Sequence, residues 1–186
     1  IYDVLADQAA QCWRPIFMTT IGFTNPLATC IDPHRAVAAI KAANPDAMVL
    51  GLPVFDASAP ALRVKGRRIS NWWANLETLW MGIGDSLFGF RVYPVEPLRK
   101  VMHGQRWMRR FDFDPEAVVR LCWRGTRPVN LPSPVRYFRP DEGGVSHFNY
   151  WRDNRLLTWM HIRLMTGFVL RLPRLIYQRL ATPGNG

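Results

Sequence analysis

The order of apolar and polar positions along the chain predicts helices that alternate with strands. A short helix is expected from Asp32-Pro33, which supplies an N-cap followed by proline at the first helical position, to about Asn44-Pro45. The apolar run at residues 48–54 is bounded by turn residues and indicates a buried strand. A helix followed by a buried strand is typical of an α/β sheet, so α/β is the predicted fold class.

Between residues 62 and 83 the apolar positions recur every three or four residues, which predicts one apolar face of a long helix. Basic side chains crowd the first turns of this helix, where they oppose the positive end of its dipole. They are Arg63, Lys65, Arg67 and Arg68. A bound anion would compensate for that placement, and a solvated basic end on a core helix is the simpler alternative.

Shorter elements follow. Residues 85–94 contain a glycine and predict a loop that leads into a short strand, and residues 95–102 predict a helix. Another helix is expected from about residue 111 to a glycine stop at residue 125. Its first turn is acidic, which capping and the helix dipole both favour, so a well-capped helix is one explanation of these acids. Residues 128–138 alternate apolar side chains with prolines and predict an edge strand or an extended loop.

Beyond Ser146 the chain predicts one long helical segment to about Leu180, interrupted at Pro173. Nearly every direction around this helix is apolar, and two tryptophans, Trp151 and Trp159, lie in it. Within about a quarter of the helix circumference fall four arginines, Arg152, Arg155, Arg163 and Arg174. Such a helix suits the headgroup boundary of an anionic membrane. A buried helix of a larger protein with a salt-bridged basic stripe is the alternative.

Charge is distributed unevenly along the 186 residues, a length that suits one domain. Residues 1–60 carry a net charge of −2 and residues 61–186 a net charge of +12. With 48% hydrophobic and 20% charged residues, the chain is not intrinsically disordered. Its basic part indicates an anionic partner. A nucleic acid is not the expected one, because most aromatic residues fall on apolar helix faces, where packing explains them better than base stacking.

Cysteine and histidine spacing argues against a disulfide framework and against a metal site. The three cysteines are far apart and odd in number, which fits a reducing compartment: Cys12, Cys30 and Cys122. The four histidines have no metal-ligand spacing and are expected at the surface or at helix ends: His34, His103, His147 and His161.

The longest uncharged run, residues 15–31, is shorter than the roughly 20 apolar residues of a transmembrane helix. No signal peptide is evident at the first residues either.

Five motifs then follow one another in a fixed order. They are GRRISN at residues 66–71, DSLFGFR at 85–91, FDPEAVVR at 113–120, VNLP at 129–132 and GVSH at 144–147. In this order they resemble the family-2 glycosyltransferases, in particular the bacterial relatives of the dolichyl-phosphate mannosyltransferases. The resemblance extends over residues 32–177.

The resemblance implies a Rossmann-like GT-A domain of three α/β/α layers, of which this chain is the partial, C-terminal portion with a long C-terminal amphipathic helix. Residues 1–31 would be an atypical N-terminal segment, residues 32–147 the acceptor-side half of the domain, and residues 148–186 a basic amphipathic helical tail. The implied activity is transfer of a sugar, with inversion, from a nucleotide-sugar donor to a lipid-linked or amphiphilic acceptor. The implied location is peripheral, at the cytoplasmic face of the inner membrane.

The resemblance also assigns roles to individual residues. Asp114 would be the base that deprotonates an acceptor hydroxyl, or a positioning group if the acceptor is already a phosphate. Asp85 would orient the loop that follows it. Guanidinium groups suit a phosphate because their planar fork donates two parallel hydrogen bonds. The residues expected at the acceptor and its phosphate are Arg67, Arg68, Ser86, Arg91, Ser146 and His147.

One departure from the family concerns the metal. Relatives carry an Asp-x-Asp motif just before the helix that here begins at Asp32-Pro33, and its carboxylates hold a divalent Mg or Mn ion. In this chain residues 28–31 read ATCI. The metal is therefore expected for the family although its ligands are absent from this chain, which leaves the activity of the fragment itself an open question. The alternative function is a non-catalytic protein associated with the membrane surface.

Overall fold

The computed structural model describes residues 33–55, 59–105, 107–108, 110–135 and 149–181. The helix expected near residues 2–13, the ATCI segment, Ser146 and His147 lie outside the described residues. Within them the helices are α1 (Pro33–Ala43), α2 (Ala61–Leu76), α3 (Val95–His103), α4 (Phe113–Cys122) and α5 (Tyr150–Ala181). The strands are β1 (Met48–Phe55), β2 (Arg91–Val92) and β3 (Pro128–Val135).

The three strands form one mixed sheet in the order β2-β1-β3. The buried strand predicted at residues 48–54 is the central one. It pairs antiparallel with the short β2, Val49 opposite Val92, and parallel with β3 along its whole length, from Met48 opposite Pro128 to Phe55 opposite Val135. Because β3 is an edge strand, its prolines cost no ladder hydrogen bond on the open side. The chain is therefore α/β with a small mixed sheet.

Helices cover both faces of this sheet. Successive side chains of a strand point to opposite faces, so Val49 packs with Val37 and Ile40 of α1, whereas Met48 and Leu50 point into the main core. In that core α4 is nearly enclosed, and its fully buried apolar residues are Ala117, Val118, Val119, Leu121 and Cys122. The remaining walls come from α2, α3 and α5. The motif residues thus lie around α4, a helix that is buried in the core.

Two sequence predictions about helix ends were wrong. The helix expected to reach residue 83 ends at Leu76, because Leu79 and Trp80 adopt left-handed φ angles of 53° and 57°. The side chain of Asn75 holds this turn by bonding both the backbone N and O of Ile83, at 3.0 and 2.8 Å. The interruption expected at Pro173 is also absent, since α5 continues through it on an exposed face, where water can satisfy the carbonyl that proline leaves free. Within the described residues, no helix is long and apolar enough to cross a membrane.

Candidate functional site

The loop after α2 is shaped by one carboxylate. We call residues 84–90 the Asp85 loop. Asp85 Oδ1 accepts hydrogen bonds from the backbone N of Leu87 and Phe88, at 2.8 and 2.6 Å, which closes a local turn around the side chain. The same oxygen receives Arg67 Nη1 of α2 at 2.9 Å. Asp85 is 2% exposed, so its negative charge is buried but matched by a cation and by two backbone donors.

Asn71 fixes the same loop to α2 from a second point. Its Oδ1 accepts both the backbone N and the hydroxyl of Ser86, at 2.7 and 2.8 Å. Its Nδ2 lies 3.3 Å from Gly84 O and from Asp85 Oδ2. Ser86 is fully buried and has its hydrogen bonds satisfied inside the protein. The GRRISN and DSLFGFR motifs are thus in direct contact.

Arg91 lies at the start of β2 with its side chain 1% exposed. Its Nε donates to Phe88 O at 2.7 Å, and its Nη2 donates to Asp85 O at 3.3 Å. Burial alone would lower the pKa of Arg91, but Tyr93, Asp114 and Asp85 outweigh it, so the net shift of the pKa is upward. The guanidinium therefore stays charged, and its donors hold the Asp85 loop. Contact of Arg91 with an acceptor phosphate remains a prediction that would need this loop to open.

Asp114 lies in the first turn of α4 with its side chain 21% exposed. Its Oδ1 accepts the Tyr93 hydroxyl at 3.4 Å and lies 3.5 Å from Arg91 Nε. Burial raises the pKa of Asp114 even though Arg91 and Tyr93 act to lower it. Burial likewise raises the pKa of Tyr93, which stays a neutral hydroxyl donor. The contacts of Asp114 are thus with Arg91 and Tyr93, so capping of α4 does not account for its position.

The structure brings together five of the eight residues that the resemblance singled out. One continuous set of contacts joins Arg67 to Asp85, Asp85 to Arg91 and Arg91 to Asp114, and Ser86 joins it through Asn71. We call this set the Asp85 cluster. Arg67 is 13% exposed, and Arg68 is exposed on α2 without a place in the cluster. Ser146 and His147 fall outside the described residues.

A second series of polar contacts was not predicted from the sequence. His161, in the middle of α5, lies 2.9 Å by Nδ1 from Glu77 Oε1 and 3.3 Å by Nε2 from Ser70 Oγ. The Ser70 hydroxyl in turn lies 3.3 Å from the Ser86 hydroxyl, so this series of contacts ends at the Asp85 loop. Burial raises the pKa of Glu77, although His161 acts to lower it. The seven-residue spacing of Ser70 and Glu77 places them on one face of a helix, but no sequence signal points to His161, which was expected at the surface or at a helix end.

The basic stripe predicted on α5 is only partly at the surface. Arg163 turns inward, where Nη2 lies 2.8 Å from Glu116 Oε2 and 3.8 Å from Asp112 Oδ2, and this joins α5 to α4. Arg152, Arg155 and Arg174 are exposed. The outward face of α5 is instead strongly apolar, with large exposed side chains at Trp151, Trp159, Ile162, Val169, Leu170, Ile176, Tyr177 and Leu180.

The described residues do not fit the divalent metal that the resemblance implies. Among them no group of three His, Cys, Asp or Glu side chains lies close enough to hold an ion. The two carboxylates of the Asp85 cluster, Asp85 and Asp114, each face an arginine instead of each other. The chain also matches no known family model, no curated protein and no solved structure. The chemistry of the site is therefore argued from its own geometry.

Proposed function

We propose that the chain is the acceptor-side half of a family-2 glycosyltransferase with a Rossmann-like GT-A domain. It would transfer a sugar, with inversion, from a nucleotide-sugar donor to a lipid-linked or amphiphilic acceptor at the cytoplasmic membrane face. One observation supports this proposal beyond the motifs themselves. Arg67, Asp85, Arg91 and Asp114 come from three separate motifs and meet in one cluster.

In this proposal Asp114 is the base. Both of its contacts with described residues use Oδ1, so Oδ2 is the oxygen left to face an acceptor hydroxyl. A carboxylate with a raised pKa is a better proton acceptor than an ordinary aspartate, and such a group contributes about 10²–10⁴-fold to a rate. The hydroxyl oxygen would attack the sugar carbon while its proton passes to Oδ2 and the donor's diphosphate leaves.

The arginines divide into two roles in the same proposal. Arg68, exposed on the same helix as Arg67, is free to meet the phosphate of an acceptor. Arg91 is a positioning residue, because its donors are occupied by the loop carbonyls and by Tyr93. Asp114 would only position the acceptor if that acceptor attacks through a phosphate oxygen, which is anionic at neutral pH without a base.

Acceptor binding and sugar transfer test the proposal in two separate assays of the full chain. Binding is measured with a polyprenyl phosphate in detergent micelles. We expect Arg68→Gln to weaken this binding by about tenfold, which corresponds to the loss of one charge-assisted hydrogen bond. Arg99→Gln, a substitution of an exposed arginine on α3, should leave it unchanged.

Transfer is measured with a panel of radiolabelled nucleotide sugars, and Asp114→Asn should reduce it at least about 100-fold. A wild-type chain that neither binds the lipid phosphate nor transfers sugar would contradict the proposal.

A second candidate function, a non-catalytic protein of the membrane surface, is favoured by the outward face of α5. Trp151 is 90% exposed there among other large apolar side chains. The only acid of α5, Asp153, is buried, whereas five of its arginines are exposed, so the exposed charges of this helix are all positive. An apolar helix face flanked by positive charge fits an anionic lipid surface.

Flotation with vesicles separates the two functions. Binding to phosphatidylglycerol vesicles should fall strongly in a Trp151→Ser and Trp159→Ser variant and stay unchanged in Trp107→Ser, a tryptophan that is 67% exposed outside the helices. If Asp114→Asn and Arg68→Gln change nothing in any assay while the α5 variant loses vesicle binding, the non-catalytic function is the correct one. Equal flotation of the Trp151 and Trp107 variants would exclude α5 as the lipid-binding face.

A further inference from the structure

A cavity of about 210 Å³ lies at the opposite end of α4 from Asp114. Its walls come from the C-terminal ends of α3 and α4 and from the second half of α5. The polar and aromatic side chains that line it are Gln105, Arg120, Trp123, Arg124, Arg171 and Arg174. We call it the arginine pocket. Asp114 and Arg120, the pocket residue nearest to it on α4, are six residues apart, about 9 Å along the helix, and no residue of the Asp85 cluster lines the pocket.

The positive charge of this pocket is mostly unmatched. Arg120 has a carboxylate partner, Glu116, at 2.7 Å. Within the part of the chain that the structure describes, Arg124, Arg171 and Arg174 have no carboxylate partner, and Arg171 donates to Gly167 O of its own helix at 3.0 Å. Burial lowers the pKa of Arg120, and the charges of Arg171 and Arg163 lower it further against the opposing effect of Glu116. Three of the four like charges thus lie near one another without a carboxylate partner among the described residues.

Two of the guanidinium groups are also held in place. The ring centroid of Trp123 lies 5.0 Å from Arg171 Cζ and 5.7 Å from Arg120 Cζ, within cation–π range of both. The ring itself is anchored, because Trp123 Nε1 donates to the buried Glu77 O at 2.7 Å. The dipole at the C-terminal end of α4 favours cations at Arg120 and Arg124, but it does not explain the two arginines that α5 adds. Arg120 and Arg171 are therefore preorganised donors in this pocket.

Size and chemistry limit what the pocket can take. At about 210 Å³ it is smaller than the roughly 300–1,000 Å³ typical of sites for drug-sized ligands, so it is too small for a whole nucleotide sugar. Arginine forks match the paired oxygens of a phosphate. We propose that the arginine pocket binds a phosphate group, carried either by a lipid headgroup or by a small soluble phosphate. This site does not depend on the glycosyltransferase proposal.

Binding of inorganic phosphate to the full chain, measured by calorimetry at low salt, is the first test. We expect the Arg171→Gln and Arg174→Gln double variant to bind phosphate at least about tenfold more weakly than the wild type. The matched control is Arg152→Gln with Arg155→Gln, which removes the same charge from exposed positions of the same helix outside the pocket. This control should bind phosphate as the wild type does. Arg124→Gln is a milder substitution that serves the same purpose if the double variant does not fold.

Vesicles of phosphatidylcholine with and without phosphatidic acid identify the source of the phosphate. If it is a lipid headgroup, the pocket variant loses more binding to the anionic vesicles than the control variant does, and inorganic phosphate competes with the vesicles. If it is a soluble phosphate, the two variants bind vesicles equally, whereas only the pocket variant loses inorganic phosphate. The proposal is overturned if neither measurement separates the pocket variant from the control.

Discussion

Arginine side chains lie near both ends of α4, but their surroundings at the two ends are opposite. At its N-terminal end, Arg67 and Arg91 meet the carboxylates of Asp85 and Asp114. At its C-terminal end three arginines of the arginine pocket meet no carboxylate among the described residues. The first set is buried or half-buried, and the second is open to solvent. The comparison indicates that the matched arginines maintain the shape of the loop, whereas the unmatched ones are available to a ligand.

The physical reason for the difference is desolvation. Removing a charge from water costs several kcal/mol, which is recovered only when every donor finds an acceptor. Arg91 meets that condition through two loop carbonyls, Tyr93 and Asp114. Arg174 is exposed and keeps its water, so it tolerates the lack of a partner. Substitutions at the two ends of α4 should therefore have very different consequences.

The largest expected effect is on the free energy of unfolding. Arg91→Met should lower it by about 3–5 kcal/mol, because it leaves the half-buried Asp114 without its cation and two loop carbonyls without their donor. Arg174→Met should change it by less than about 1 kcal/mol, as is usual for an exposed charge. Urea denaturation of both variants measures the difference. Equal losses of stability would show that the two groups of arginines are not distinct.

A smaller effect is expected in the pH dependence of stability. Because burial raises the pKa of Asp114 in the folded chain, the folded state binds more protons than the unfolded state over the interval between the two pKa values. The free energy of unfolding should therefore fall as the pH rises from about 4, the ordinary range of aspartate, through the raised pKa. Asp114→Asn should make this fall shallower. Glu77, whose pKa is also raised by burial, contributes a fall of the same sign that remains in the variant.

Unfolding at a series of pH values measures these slopes, with Asp46→Asn, an exposed carboxylate before β1, as the control for loss of one acid. A slope in Asp114→Asn as steep as that of the wild type would mean that Asp114 is ionised as easily in the folded chain as in the unfolded one. In that case the N-terminal end of α4 would contain no carboxylate with a raised pKa.

The smallest expected effect is at the arginine pocket. Arg174→Gln should raise the free energy of unfolding by a few tenths of a kcal/mol at low salt, because it relieves repulsion among like charges. The gain should disappear at about 1 M salt, where the screening length is about 3 Å. Thermal unfolding at the two salt concentrations, beside Arg155→Gln, measures it. A loss of stability at low salt would indicate that the pocket arginines are structurally matched after all.

Most individual elements of this fold follow from local sequence signals. The first helix, the buried strand β1 and the helices α3 and α4 were predicted within a few residues, since caps, prolines and apolar periods are local. The early end of α2 was not, because it depends on the side chain of Asn75 reaching Ile83 across a turn. Nor could the sequence show that β3 lies parallel to β1, because strand pairing is set by contacts far apart along the chain.

The same limit applies to the candidate site. Motif order identified Asp85, Arg91 and Asp114, and the structure adds which of their atoms meet. His161 and Glu77 lie in none of the five motifs. Their contact forms because α5 packs against α2. The inward turn of Arg163 was missed for a similar reason, since a helical wheel gives a direction but not the acid of another helix that faces it.

The pairing of β1 with β3 has a consequence for synthesis of the chain. Met48 and Pro128 are neighbours in the sheet but 80 residues apart in the sequence. During translation β1 therefore leaves the ribosome long before its main partner exists, and within the described part of the chain the two residues of β2 are the strand available in the interval. A nascent or truncated chain that stops before residue 128 leaves one edge of this apolar strand open, and open edges of this kind invite pairing with other chains.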